Sequence, residues 1–161
     1  MEMRRKDREI TDLAQIDQIL QQAKILHLGL SDEEGLYVVP LHYGYLWEDG
    51  KPVFYVHGAS VGRKYRIAAR GGGAFVEIDA GVALVSGGDN PCRYSSAYCS
   101  VMGPGRVSLV TDPAEKIKGL EILMKTQTGR VFHFTDEMAK SVSVIKVALD
   151  SFSAKSRPQQ P

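Results

Sequence analysis

Residues 36–58 read LYVVPLHYGYLWEDGKPVFYVHG, and the folding of this stretch decides the architecture. Two runs rich in β-branched and aromatic residues flank Glu48-Asp49-Gly50-Lys51. Asp-Gly is a strong two-residue hairpin signal, because the favoured turn needs positive φ at both central positions. The stretch therefore predicts two antiparallel strands joined by a tight turn. Just upstream, KILHLGL reads as a strand followed by the turn residues Ser31-Asp32-Glu33-Glu34-Gly35. The three runs make a meander.

Outward from the meander, Thr11 or Asp12 can cap a helix in which Leu13, Ile16, Leu20 and Ala23 recur at helical spacing. Residues 1–10 are mostly charged and read as an extended arm. After the meander, Ser60 is placed to cap a helix VGRKYRIAAR, which Gly71 to Gly73 terminate. A strand run GAFVEIDAGVALV follows, then a loop over 86–97, dense in Gly, Asn, Pro and Ser. In the next strand, YCSVMGPGRVSLV, Gly103-Pro104-Gly105 suggests a bulge or bend. Thr111 or Asp112 caps a helix with Pro113 in its first turn and Ile117, Leu120, Leu123 and Met124 on one face. Residues 132–140 carry no clear period. VSVIKVALD is a final strand before a polar tail, 151–161. Consecutive strands linked by hairpins argue for an antiparallel barrel of six strands with peripheral helices, in one domain over 1–161.

Composition narrows the function classes. Lys and Arg number 20 against 19 Asp and Glu, so the basic excess of a nucleic-acid binder is missing. No apolar run approaches the roughly 20 residues of a membrane helix, and the charged N-terminus is unlike a secretory signal. A cytoplasmic protein is expected. Cys92 and Cys99 have no second pair to complete a zinc site, so no metal is expected and both thiols read as reduced.

The stretch HGASVGRKYRIAA, residues 57–69, has the chemistry of an anion site. It is not a nucleotide-triphosphate loop. Gly58 to Gly62 is one residue too short, and Arg63 stands at the lysine position. A helix starting near Val61 would still aim bare amides and its positive end at a preceding anion. Arg63 offers a planar fork and Lys64 a point charge. Alternatively Arg63, Lys64, Arg66 and Arg70 are a solvated basic face.

In their order, several pieces resemble the FMN-binding split-barrel families. These are pyridoxamine 5′-phosphate oxidase and, closer, the related flavin proteins that include the nitroimidazole-resistance (Nim) proteins. The pieces are residues 3–9 (MRRKDRE), Tyr37-Val38-Val39-Pro40-Leu41, Phe54-Tyr55-Val56-His57-Gly58-Ala59 and Gly62-Arg63-Lys64. They end with Ser100-Val101-Met102-Gly103-Pro104-Gly105-Arg106 and Asp112 to Lys116. The resemblance implies a mainly β (α+β) split barrel of FMN-binding type, a homodimer with flavin sites between its subunits, and FMN rather than FAD. It implies that Arg63 and Lys64 after Gly62 grip the phosphate. The backbone of Val38, Val39, Pro40 and Leu41 would line the flavin, Tyr55, Val56 and His57 would lie below the ribityl and phosphate, and Ser100 would add a polar contact. His42, in the same strand, would narrow the flavin pocket. Gly71 to Gly73 replace the Asn-Pro turn of many relatives, and the C-terminal Trp and Arg segment of the vitamin B6 oxidases is missing. Vitamin B6 oxidation is therefore not expected.

Single residues keep more than one reading. His57 can be a phosphate partner, a proton donor to reduced flavin, or a strand histidine satisfied by a carbonyl. Tyr94 and Tyr98 can stack on a planar ring or serve as barrel aromatics. Trp47, before the hairpin turn, is expected to pack across strands. The leading expectation is a flavin-dependent oxidoreductase that takes electrons from NAD(P)H and reduces a small aromatic or nitro compound. The rivals are a flavin-binding module without turnover and a haem-binding or haem-degrading relative, with His27, His42, His57 and His133 as possible axial ligands.

Overall fold

The computed structural model describes residues 3–158. The elements run β1 (Glu9–Ile10), α1 (Leu13–Gln22), β2 (Ile25–Asp32), β3 (Gly35–His42), β4 (Gly44–Glu48), β5 (Lys51–Gly58) and α2 (Arg63–Arg70). They continue with β6 (Gly72–Val85), β7 (Ser95–Leu109), α3 (Pro113–Thr128), α4 (Asp136–Lys140), β8 (Ser143–Leu149) and β9 (Ser153–Arg157). The strands join in one sheet, ordered β3-β2-β6-β7-β8-β5-β4, with β9 paired to β7 and β1. Every pairing among the described strands is antiparallel. The expected split barrel with peripheral helices is therefore present, with nine strands rather than six.

The three extra strands have two sources. The run 36–47, expected as one strand, breaks at Tyr43. Tyr43 and Gly44 are both buried, which interrupts the alternation of β3. The Tyr43 hydroxyl, fully buried, lies 2.7 Å from the Leu20 carbonyl and 3.2 Å from that of Ala23, donating to the end of α1. Beyond the break β4 leaves the β2 edge and pairs with β5, at the opposite edge. The other two strands are the expected arm and tail, which pair with each other as β1 and β9. Residues 1–2 of the arm and 159–161 of the tail lie outside the described residues.

Two apolar clusters hold the barrel. Inside it, Leu26 and Leu28 of β2, Ile78 of β6, Val101 of β7, Phe54 and Val56 of β5, and Ile145 of β8 pack against Ile16 and Leu20 of α1. On the outer side of β5 and β8, Val53, Tyr55 and Val144 lie under Leu120 of α3 and Ala139 of α4. β5 is thus buried on both faces. The expected helical faces are seen in part: Leu13 is half exposed, whereas Ile16, Leu20, Ala23, Leu120 and Leu123 are buried.

The bend expected at Gly103-Pro104-Gly105 is absent. Those residues pair in unbroken register with Val76, Phe75 and Ala74, and the irregularity lies in β6 between Ala80 and Ala83. The Pro104 carbonyl accepts from the Asp150 N–H at 2.9 Å. Its nitrogen points the same way, into the break between β8 and β9, where no donor is needed. A side-chain carbon at Gly103 or Gly105 would sit 2.1 Å from the Ser151 carbonyl or 2.3 Å from that of Ala148, so close backbone passage explains these glycines. The loop expected over 86–97 also ends early, because β7 begins at Ser95. Residues 136–140, without a period in sequence, form α4 behind a Thr135 cap. No helix of the described residues is long and apolar enough to cross a membrane.

Gly44 sits against α3, where an added carbon would lie 2.3 Å from Leu123 backbone atoms. Gly44→Ala should lower the unfolding free energy by about 1–3 kcal/mol, the usual cost of overpacking. Urea denaturation checks this. Gly73→Ala, which meets nothing within 4 Å, is the control and should change stability by no more than about 0.5 kcal/mol.

Candidate functional site

β5 ends at Gly58 and α2 begins at Arg63, so within the stretch 57–69 a four-residue loop, 59–62, connects them. Ser60 does not cap α2. Gly62 holds the cap position at φ 97°, a conformation open to glycine, and no side chain accepts from the first amides. The other α-helices described are each capped. Asp12, Asp112 and Thr135 accept from the amides of Ala14, Glu115 and Met138. Among the four described, α2 alone presents uncapped N–H groups with the positive end of its dipole. The buried Ser143 hydroxyl secures the loop from below, donating to the carbonyls of Gly58 and Ala59 at 3.0 Å each.

The basic residues of α2 divide. Arg63 donates through Nε to Asp32 Oδ2 at 3.1 Å and through Nη2 to Asp32 Oδ1 and, at 2.9 Å, to the Gly35 carbonyl. Its guanidinium also lies 5.0 Å from the centre of the Tyr37 ring. Arg66 pairs with Glu34 at 3.1 Å and Arg70 with Glu33 at 3.5 Å. These arginines lie three and four residues apart, on one stripe of the helix. They clasp the β2–β3 turn instead of facing solvent alone. The Arg63 hydrogen bonds hold the Asp32 carboxyl below its ordinary pKa.

Lys64 points the other way. Its Nζ donates to the His57 carbonyl at 3.3 Å and lies over Gly58, where a side-chain carbon would come within 2.7 Å of it. Burial lowers its pKa, and among the described residues no carboxylate pairs with it. His57 is held below the usual imidazole pKa by burial first, then by Lys64 and His42. His42 Nδ1 lies 3.1 Å from the Lys24 carbonyl and from Gln127 Oε1. Both are acceptors, so that nitrogen carries the proton. Lys64, His57 and His42 thus gather where β3 and β5 meet.

The other expected residues fall into two groups. Val38 and Pro40 are exposed on the outer face of edge strand β3, while Val39 and Leu41 turn toward the core. Tyr98 and Ser100 belong to β7, and Tyr98 Oη accepts from Arg8 at 3.4 Å. The register aligns Pro40 with His27, then Glu77, then Met102, which puts Tyr98 and Ser100 on the same outer face as Pro40. Tyr55 and Val56 are core residues. Tyr55 packs under α3, with its hydroxyl 3.1 Å from Glu115 Oε1, and Val56 faces the barrel interior. Trp47 Nε1 donates to Asp17 of α1 at 2.8 Å while its ring meets Phe152. Both cysteines are free. His27 lies 3.1 Å from Glu77, with Asp79 close enough to form a possible three-ligand group that composition did not suggest.

Sequence reasoning missed Ser143 and the acidic turn. Asp32-Glu33-Glu34 against Arg63, Arg66 and Arg70 was a legible charge match. Ser143 left no signal.

The sequence profile of the pyridoxamine 5′-phosphate oxidase family matches residues 12–156. No curated protein matches the chain. Among solved structures, a protein described as a candidate 5-nitroimidazole antibiotic resistance protein from Bacteroides thetaiotaomicron is 31% identical, with a TM-score of 0.75 over 91% of this chain and 85% of that one. An FAD- and haem-binding protein from Mycobacterium smegmatis shares the fold at 19% identity, with a TM-score of 0.77 over 96% of this chain and 75% of its own. A flavocytochrome from Azotobacter vinelandii shares it at 20% identity, with a TM-score of 0.75 over 99% and 75%.

Arg63→Ala and Asp32→Ala should each lower the urea midpoint, and the double variant should be little worse than either, because both remove one interaction. Asp32 has a depressed folded pKa, so its contribution is present above the unfolded carboxylate pKa of about 3.9 and is lost as acid protonates it. The gap between wild type and Arg63→Ala should therefore close at low pH. Additive losses would mean that the two side chains act separately.

Proposed function

The chain belongs to the pyridoxamine 5′-phosphate oxidase family, and from that premise we propose that it binds FMN, with the terminal phosphate at the open end of α2 against Lys64. One observation carries this reading: an uncapped helix N-terminus beside a partly buried ammonium that no described carboxylate neutralises. A phosphate supplies acceptors for those amides and a counter-charge for Lys64. One helix end and one ammonium suit a single terminal phosphate, which favours FMN over FAD. β3 is a sheet edge, so the outward backbone groups of Val38 to Leu41 are not taken by another strand. They can pair with the donors and acceptors along a flavin ring. The neighbours described as FAD-binding and as a flavocytochrome favour the same cofactor class.

In this reading Lys64 holds the phosphate, Ser143 holds the loop, and Arg63 keeps the β2–β3 hairpin against α2. His57 stands next to the phosphate position as a neutral imidazole able to donate or accept. The bound flavin supplies the redox chemistry. NAD(P)H is the proposed electron donor, and a small neutral compound is the acceptor.

The outer sheet face supports a homodimer. Val38, Gly29, Phe75 and Pro104 align across β3, β2, β6 and β7, and Leu36 and Val38 are 87% and 64% exposed. An exposed apolar row of this kind is suited to a second subunit. Tyr98 and Ser100 share that face, so a dimer would bring one subunit's β7 toward its partner's β3 edge.

Lys64→Ala should weaken FMN at least about tenfold, or about 1.4 kcal/mol, in a fluorescence titration. Riboflavin, which lacks the phosphate, should be unaffected, and Arg63→Ala should lose less FMN affinity than Lys64→Ala. An equal loss for riboflavin would remove Lys64 from the phosphate. Bleaching of the bound flavin by NADPH separates an enzyme from a binding module, and a purified protein that shows a haem spectrum and takes up no FMN would overturn the flavin assignment. Val38→Asp should yield a monomer by light scattering, and an unchanged dimer would place the interface elsewhere.

A further inference from the structure

Beside the Lys64 cluster, a cavity of about 310 Å³ opens between α3, α4 and the end of β5. Leu123 and Met124 of α3, Phe134, and Met138 of α4 make its walls apolar. Only His57 and Ser141 bring polar side chains to it, and the Ser141 hydroxyl is already donated to the Met138 carbonyl at 2.8 Å. Ser141 can then only accept, so donation to a ligand falls to the His57 ring.

Size and charge define the occupant. An apolar cavity of about 150 Å³ stays dry and takes up benzene, so this one has room for a substituted ring. Lys64 beside His57 disfavours a cation. An anion would lose its hydration against apolar walls, with the open end of α2 as a better seat nearby. We propose that this cavity binds an uncharged, ring-sized apolar molecule carrying one polar edge group, held by the α3 and α4 side chains and one hydrogen bond to the His57 imidazole. Burial, Lys64 and His42 keep that imidazole neutral near neutral pH, with one nitrogen to donate and one to accept. The proposal stands apart from the flavin reading, because apart from His57 none of these wall residues is assigned to FMN.

Phenol and toluene are the probes, titrated separately into the purified protein while the methyl NMR signals of Met124 and Met138 are followed. Both should give saturable shifts. His57→Leu should weaken phenol about fivefold, the worth of one hydrogen bond, and leave toluene within about twofold. Met138→Trp, at a 56% exposed position, should fill the cavity and abolish both, and Met124→Trp is the second filling variant should the first not fold. No saturable shift with toluene overturns the proposal, as does toluene binding that persists in a folded filled variant. Displacement of toluene by FMN would make the cavity the flavin ring's own seat and also overturns it. A protein with no affinity for FMN would sink the cofactor reading and leave the toluene result untouched.

Discussion

The passage of the chain through Tyr43 and Gly44 is the constraint on which the rest of the molecule depends. A tyrosine whose hydroxyl caps the end of α1 cannot remain in the alternation of β3, and a glycine flush against α3 leaves no room for a side chain. Together they move the chain from one edge of the sheet to the other within two residues. That step brings the end of β3 into contact with β5 without pairing the two strands. Without it His42 and His57 would lie on separate edges, and Lys64 would not have the two imidazoles beside it.

Charge then decides which part of α2 is open. The helix carries four cations in eight residues, and three are paired with the acidic β2–β3 turn, whose Asp32 also accepts from the Glu34 N–H. The arginine clasp is a surface feature, and its outer pairs, Arg66–Glu34 and Arg70–Glu33, are exposed enough to contribute little. Its effect is on position: it fixes the roll of α2 so that the remaining cation points inward. Lys64 is partly desolvated there, a state that favours an arriving anion. The absent cap matters equally. A serine or aspartate at position 62 would satisfy the amides that Gly62 leaves free.

What was legible follows from range of interaction. The Asp-Gly hairpin and the Asp12 and Asp112 caps are local, and the sequence carried them. The split at Tyr43 was hidden because both sides of it have the composition of one strand, and only contacts with α1 and α3 separate them. The β1–β9 pair joins the two ends of the chain, and no local pattern announces that. In the candidate site, the stretch 57–64 was visible as anion chemistry, but adjacency could not reveal that Arg63 and Lys64 serve different partners. The arginine's partner lies thirty-one residues upstream in a turn. The cavity was invisible for a related reason: Met138 and Phe134 belong to a segment without period, and His57 comes from a strand far from both.

His57 is the point at which the two candidate sites meet. Its carbonyl takes the Lys64 ammonium, and its ring faces the cavity. A phosphate at the end of α2 would neutralise Lys64 and so remove one cause of the depressed imidazole pKa. The ring would then accept a proton more readily, and a protonated ring has two donors and no acceptor. A cavity ligand that donates to His57 would oppose that change, while one that accepts would favour it. Binding free energies are reciprocal, so the same preference would act back on the phosphate. Burial sets the limit: it is the largest cause of the depression and does not depend on the anion. The coupling therefore acts through the electrostatic share alone, and its sign is set by which way the ligand's hydrogen bond runs.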